Sequence, residues 1–427
     1  MTQEQVDSGE VKIYAWVNFL DELANEFGAI LPRQAMGVAY YGGAMLPPEE
    51  KHHHGIGLKV LGGSSGYIPP TDLLGEDVTL EIAGVTLEVF YTGGEAISEF
   101  GIHLPEFDMV LIADEFFSGI PNMHTIRGSK PRIADNYTRA LDRVLDLEPE
   151  WLLGSHITPI QGKQFIRESV TSYRYGSQYL WDQSIRLINR GYTPTELQHA
   201  LADLPDHLRQ PPYAVEMYGT PFTTVPEFFT GWVSWFTGDA TDMLPLPYAE
   251  RATAFVELMG GVDRVLEAAK ERHRSGEHQL AAELAQLALR AAPDNDDARL
   301  VKAAALRARG YRELNPIARS WYLTSAYELE GAFDPSDVLA IALRAWAGAQ
   351  AVGAVLGELR YKVDPAKAGT REHRVGIRDT ETGAEWTAHL RNSVLVVSDG
   401  LADGLDAVVE TDPTGFARLP DTSGVRT

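Results

Sequence analysis

The chain has 427 residues, 44% hydrophobic and 23% charged, which is ordinary globular usage with room for about three average domains. Sixty Asp and Glu against 37 Lys and Arg give a net charge of −23, a field that repels phosphate backbones and excludes nucleic acid as a natural partner. There is no cysteine, so disulfides, thiolate metal sites and a Cys nucleophile are ruled out, and any metal site must use His, Asp and Glu.

The N-terminus, Met1 to Asp7, is acidic and polar and shows no secretory signal. No run approaches the ~20 consecutive apolar residues of a membrane span. The expected location is cytoplasmic for the chain as it stands, and exported if a signal precedes Met1.

Residues 1 to about 165 read as mixed α/β. Runs rich in β-formers at 11–15, 78–82, 85–91 and 109–113 alternate with polar, Gly-rich or helical stretches. Residues 78–91 have the form of a hairpin about Ala83-Gly84. The continuous apolar run 109–113 has the pattern of a strand buried on both faces, delivering Asp114 at its C-terminal end. Residues 133–147 carry apolar side chains at helical spacing, and 151–156 read as a short strand breaking into a loop at His156.

Residues 166 to about 330 read as almost wholly helical. Residues 275–282 open a helix-turn-helix of tetratricopeptide type: Ala281, Ala282, Ala285 and Ala288 permit close helix approach, and Pro293-Asp294-Asn295 makes the turn into a helix at 298–307. One such unit cannot bury its face alone, so it reads as part of a bundle completed by another subunit. From Asp334 an apolar helix at 338–355 precedes alternating segments at 359–363, 373–379, 385–391 and 393–398, a small meander with Thr382-Gly383 as a turn. A Pro/Gly-rich tail follows. The fold class is therefore α/β, then all-α, then α+β.

Without cysteine, histidines are the first candidates for metal chemistry. His52, His53 and His54 are adjacent, point in different directions and have no carboxylate at ligand spacing, so a solvated loop is the expectation. Glu95 lies in a Gly-rich turn straight after a strand, Asp114 ends the next apolar strand, and His156 ends another. Two carboxylates and a His at separate strand ends form a plausible hard-metal constellation. Between them, residues 121–128 bring Asn122, Thr125 and Arg127 into one segment, where a guanidinium fork and backbone N–H groups could cradle an oxyanion; the alternative is an ordinary loop before a helix. The aromatic run 228–236 reads as core packing or the wall of an apolar tunnel. Residues 315–323 read as core or subunit contact.

These residues resemble the linear alkyl sulfatases of the metallo-β-lactamase superfamily, over essentially the whole chain. Thr92-Gly93-Gly94-Glu95-Ala96-Ile97-Ser98-Glu99 is similar to the family's Pro-Gly-Thr-Glu-Ala-Pro-Ala-Glu, which implies Glu95 as a metal ligand. Ile112-Ala113-Asp114-Glu115 is similar to its Met-Ala-Glu-Asn, implying Asp114 as the next ligand with Glu115 as the neighbouring candidate. The family's sulfate-binding run Asn-Leu-Tyr-Thr-Leu-Arg-Gly matches 122–128 without gaps, implying that Asn122, Met123, His124, Thr125, Ile126 and Arg127 bind sulfate. Gly154-Ser155-His156-Ile157-Thr158-Pro159 resembles Gly-Ser-His-His-Trp-Pro and implies His156 as a further ligand. Residues 191–194, 218–220 and 315–319 also echo the family.

The resemblance implies a partial metallo-β-lactamase αββα sandwich over 1–165, a helical dimerisation domain over 166–332 and a sterol-carrier-like domain over 333–427. It implies a homodimeric zinc-dependent hydrolase that converts linear alkyl sulfate esters to alcohol and sulfate, with two zinc ions per subunit in the family. His124 and Arg132 are the nearby polar candidates for a general acid. The superfamily's His-x-His-x-Asp-His segment occurs nowhere in the 427 residues. The expectation is that the chain starts just past that half of the zinc site, with an open sheet edge and core. Glu95, Asp114 and His156 alone are too few to close two zinc coordination shells. The competing expectation is a catalytically impaired dimeric protein that binds a lipid or alkyl chain.

Overall fold

The computed structural model describes residues 2–27, 30–51, 53, 55–57, 68–209, 213–338 and 352–412. Two compact units are present. One comprises Met1–Glu22, Gly37–Val60 and Pro70–Phe333; the other comprises Leu23–Met36, Leu61–Pro69 and Asp334–Thr427.

In the first unit, β1 (Tyr14–Trp16) and β2 (Asp72–Leu74) form a parallel pair. A six-stranded sheet follows, made of β3 (Val78–Ile82), β4 (Val85–Tyr91), β5 (Phe100–Leu104), β6 (Met109–Ala113), β7 (Trp151–Gly154) and β8 (Ile160–Gln161), adjacent in that order. The hairpin expected at 78–91 is β3–β4: its runs alternate in period two, and Ala83 (φ 52°) and Gly84 (φ 79°) supply the two left-handed residues of a tight turn. β4–β5 and β5–β6 are antiparallel, whereas β6–β7 is parallel. The C-terminal ends of β4, β6 and β7 therefore open onto the same edge of the sheet. The strand expected at 11–15 forms only at its end, as β1.

In this unit, α1 (Gln3–Asp7), the first residues of α2 (Phe19–Phe27) and the last of α3 (Leu31–Tyr41) precede the sheet in the chain, the rest of α2 and α3 belonging to the second unit, and α4 (Ala134–Leu147) and α5 (Lys163–Ile188) come later. α4 has its apolar residues on one stripe. Ala140, Leu141 and Val144 join Val110, Ile112, Leu152, Ile166, Val170 and Tyr173 in one core between sheet and helices. The run 109–113 is not buried on both faces, as its composition suggested. Val110 and Ile112 are fully buried, while Met109, Leu111 and Ala113 are only half-buried. Helices cover one face. On the other, Trp16 of β1 stacks on Tyr91 at 5.0 Å between ring centroids, near the end of the sheet.

The rest of this unit is helical: α6 (Pro194–Ala200), α7 (Pro221–Trp232), α8 (Tyr248–Leu258), α9 (Val262–Arg274), α10 (His278–Ala291), α11 (Asp296–Gly310) and α12 (Pro316–Leu329). The tetratricopeptide-like pair is α10–α11, and Ala281, Ala282, Ala285, Ala288, Ala298 and Ala305 are buried along it. Phe228 and Phe229 pack with Leu180, Leu187 and Val225, so this half of the aromatic run is core, whereas Trp232 and Trp235 are exposed.

In the second unit, the helix Val352–Leu359 packs Val352 and Leu356 against Ile377 of a four-stranded sheet. Its order is β11 (Val394–Asp399), β10 (Glu385–Arg391), β9 (Glu372–Asp379), β12 (Ala407–Thr411), with β12 parallel to β9. Three expected strands form, but 359–363 does not. Arg360–Lys362 is a short 3-10 turn with exposed side chains. Most of the helix expected at 338–355 and the tail from 413 lie outside the described residues. Among the described residues, no helix is long and apolar enough to cross a membrane.

Candidate functional site

Glu95, Asp114 and His156 follow β4, β6 and β7, and the strand directions bring them to one edge. Because β6 and β7 are parallel neighbours, with Ala113 opposite Gly154, Asp114 and His156 face each other, Oδ1 to Nε2, at 3.5 Å. Ala113 adopts φ 51°, a left-handed conformation uncommon for a residue with a Cβ, and the chain turns there so that Glu115 points inward. Glu115 is fully buried, and its Oε1 accepts the Gly94 N–H at 2.7 Å. Glu99 caps the same turn, accepting the Asp114 N–H at 2.7 Å and the Ala96 N–H at 3.3 Å.

Glu95 is paired with Arg132. Its Oε1 binds Nη1 of Arg132 at 2.7 Å, with Arg132 8% exposed and Glu95 19% exposed. The same guanidinium also donates to the Asn122 carbonyl. Arg132 stands just before α4, and from the first turn of that helix Asn136 donates to the Gly93 carbonyl at 2.6 Å. The start of α4 thus holds both the 92–95 turn and the 122–127 run. Glu22 completes the support by accepting the Ile97 and Ser98 N–H groups at 2.9 and 2.8 Å.

Burial sets the proton affinities here. It raises the Glu95 carboxyl above the ordinary range, opposed by Arg132. It pushes Glu99 up to about 7. Glu115 is held well above the usual value by burial and by the Glu99 charge. His124 is pushed down to about 4 by burial and by Arg132 and Arg127. It is a neutral imidazole at pH 7, unsuited to give up a proton as a general acid.

Within the 122–127 run, Asn122 is buried and its Nδ2 has no hydrogen-bond partner among the described residues. Arg127 donates to Thr125 Oγ1 at 3.3 Å. His124 Nε2 lies 3.5 Å from Glu227. Met123 is 1% exposed within the helical core, so its side chain serves packing, and Ile126 lies against the cluster of Tyr41, Phe117 and Tyr218. That aromatic cluster was not read from sequence. Phe117 meets Tyr218 edge-on at 5.9 Å, Tyr218 meets Tyr41 at 5.9 Å, and Phe117 lies 6.4 Å from His156. Asn315, at the start of α12, secures Tyr218 by donating to its carbonyl at 3.2 Å and to that of Glu216 at 3.0 Å. The echoes of 218–220 and 315–319 in the sequence were the signals of this role. His52 and His54 lie outside the described residues; His53 accepts the Gly55 N–H at 3.1 Å within its own loop.

The site is thus an edge of carboxylates and one histidine, the 122–127 run with Arg127 and with Arg132 beside it, and an aromatic cluster. This architecture is that of an alkylsulfatase fold: the chain superposes on the stereoselective inverting sec-alkylsulfatase Pisa1 from Pseudomonas sp. with a TM-score of 0.85, at 23% identity, covering 96% of this chain and 66% of that one. Residues 193–332 match the family model described as alkyl sulfatase dimerisation. A linear primary-alkylsulfatase from Pseudomonas sp. is 34% identical over 414 residues, covering 94% of this chain and 78% of that protein. A second linear primary-alkylsulfatase, also from Pseudomonas sp., is 29% identical, covering 95% of this chain and 61% of its own length. The chain belongs to the linear primary-alkylsulfatase family.

Proposed function

We propose that this chain acts on linear alkyl sulfate esters, giving alcohol and sulfate, with Asn122, Arg127 and the backbone of 122–127 holding the sulfate group. Family membership supports the substrate class. The observation that carries the reading is the buried Asn122 Nδ2, a donor with no acceptor of its own among the described residues, in a short run with Arg127 and beside Arg132. Leaving such a donor unmade costs about 1–3 kcal/mol, and an anion oxygen would satisfy it. The Arg127 guanidinium adds a fixed positive charge to the same run. Water is the co-substrate, its OH going to one product and its proton to the other as the ester bond breaks, and the charge that grows on the sulfate is stabilised by these fixed donors. Tyr41, Phe117 and Tyr218 offer the alkyl chain an apolar wall, each buried CH₂ contributing about 0.8 kcal/mol.

The organisation we propose is a partial catalytic sandwich at 1–165, a dimerisation domain at 166–332 and a sterol-carrier-like domain at 333–427, the last supported by a helix on a four-stranded sheet. The resemblance implies metal use, zinc being the usual ion, with Glu95, Asp114 and His156 as ligands. Asp114 and His156 offer suitable O and N donors, but Glu95 is engaged by Arg132. No group of three His, Asp or Glu among the described residues is arranged to hold an ion. The described residues do not by themselves make up a two-zinc centre, and the work assigned to them is binding and charge stabilisation.

Sulfate release from dodecyl sulfate, followed by ion chromatography with and without added ZnCl₂, tests the reading. Asn122→Ala and Arg127→Gln should each lower kcat/KM by about 10²–10³-fold, as for loss of one oxyanion donor. No release by the wild-type chain under either condition rejects hydrolysis.

A further inference from the structure

We propose that Glu227 governs which hydrogen bond His124 can offer, so that the 122–127 run binds an oxyanion together with one proton, taken up by the His124–Glu227 pair. This role rests on the alkyl sulfate reading and adds to it a positioning residue from α7, which acts through His124. His124 Nε2 faces Glu227 Oε2 at 3.5 Å, with the two side chains 16% and 19% exposed. The same Oε2 accepts the Thr230 hydroxyl at 2.8 Å. On the other side of the ring, Nδ1 is buried without a hydrogen-bond partner among the described residues, as is Asn122 Nδ2 two residues earlier. An oxyanion in the run can satisfy Nδ1 only if that nitrogen carries hydrogen.

A neutral imidazole has one N–H, and the partner of one nitrogen decides which nitrogen holds it. Ionised Glu227 only accepts, so it draws the hydrogen to Nε2 and leaves a bare lone pair on Nδ1, which repels an anion oxygen. Once the pair has gained a proton, on the carboxylate or on the ring, Nε2 is engaged by Glu227 and Nδ1 is a donor. The surroundings fit this division. Burial, Arg132 before α4 and Arg127 in the run disfavour the imidazolium, while burial raises the Glu227 carboxyl above its ordinary range, opposed by the Thr230 hydroxyl. An anion in the run offsets the two arginines and raises the proton affinity of the pair. By linkage, sulfate affinity is level below the pH at which the free pair ionises, and falls above it by up to about tenfold per pH unit.

Titration calorimetry of the full chain with sodium sulfate, at constant ionic strength between about pH 5 and 9, reads the affinity, and buffers of differing ionisation enthalpy read the protons taken up. Wild type should take up about one proton per sulfate at the alkaline end and weaken there by about tenfold per pH unit. Glu227→Gln, whose amide can donate to Nε2 without titrating, should take up no proton and bind at least as tightly as wild type at the alkaline end. Should that variant not fold, His124→Asn supplies the answer: its amide donates from near the Nδ1 position at every pH, so its affinity should be level. A Glu227 that only braces the fold would lower affinity at every pH alike and leave the proton count unchanged. Sulfate binding by wild type without proton uptake, or the wild-type slope in either variant, overturns the proposal and leaves the sulfate reading standing. So does a folded Glu227→Gln that binds more weakly than wild type at the alkaline end. Absence of sulfate binding by wild type at every pH overturns both.

Discussion

Gly37 of α3 lies so close to the Arg127 backbone that an added Cβ would sit 2.2 Å from the Arg127 carbonyl oxygen and 2.8 Å from its Cα. The obstacle is main chain and not a flexible side-chain tip, so the helix or the 122–127 run must move. Gly37→Ala should therefore cost about 1–3 kcal/mol, typical of overpacking. It should also weaken alkyl sulfate binding, because Arg127 moves with its backbone. Gly75→Ala, where no atom lies within 4 Å of the added Cβ, is the control. Urea midpoints and dodecyl sulfate titrations of both variants check this; equal effects at the two positions would show that Gly37 does not set the run.

Asn315 makes a second prediction. Its Oδ1 accepts the N–H groups of Ile317 and Ala318 at 3.1 and 3.0 Å, capping α12, while Nδ2 holds the Glu216 and Tyr218 carbonyls. Asn315→Ala removes both functions and should lower stability by about 1–3 kcal/mol. Asn315→Asp keeps the cap but loses the donors. If the residue positions Tyr218, the Asp variant should recover much of the stability yet still bind dodecyl sulfate poorly; recovery of both would make Asn315 a helix cap alone.

These two relationships show what was legible in the sequence. The β3–β4 hairpin could be read because alternation and a two-residue turn are local signals. Glu95, Asp114 and His156 could be placed at strand ends, and parallel pairing of β6 with β7 explains why two of them meet. β5 was missed because Gly101 and His103 interrupt its pattern. Both are explained only by neighbours across the sheet: a Cβ on Gly101 would meet the Phe90 ring at 2.4 Å, and His103 Nδ1 pairs with Glu88 at 2.8 Å. The Glu95–Arg132 pair was invisible for the same reason. Arg132 reads in the sequence as a polar candidate for a general acid, and only the tertiary fold brings it to the 92–95 turn.

Glu216, in the segment leading to Tyr218, carries a pH dependence. Burial and the Asp203 carboxylate push it up to about 7, against an ordinary value of 4.5. The folded chain then holds a proton that the unfolded chain releases between those values. This group's contribution to stability is full below pH 4.5, falls as pH rises through about 7, and is level above it. Glu216→Gln should flatten that part of the profile, leaving the variant relatively more stable at pH 8 than at pH 4.5. Urea midpoints across pH 4.5–8 check the sign, and parallel profiles for variant and wild type would exclude Glu216 as the source.

The last prediction concerns association. Within residues 193–332, the segment between α7 and α9 exposes Trp235, Leu244, Leu246, Tyr248 and Leu258, with Leu244 90% and Leu258 84% exposed. Single exposed apolar residues need no explanation, but this many along one segment are the composition of a contact surface. The match to a dimerisation family points to a second copy as what covers it, and a two-fold axis would present each charged substitution twice. Leu244→Glu/Leu258→Glu should therefore shift the protein from dimer to monomer in sedimentation velocity. Monomer stability should change little, because neither side chain is packed within its own chain. Val394→Glu, on an exposed strand position of the second unit, should leave the dimer intact. A double variant that still sediments as a dimer would place the interface elsewhere on the helical residues.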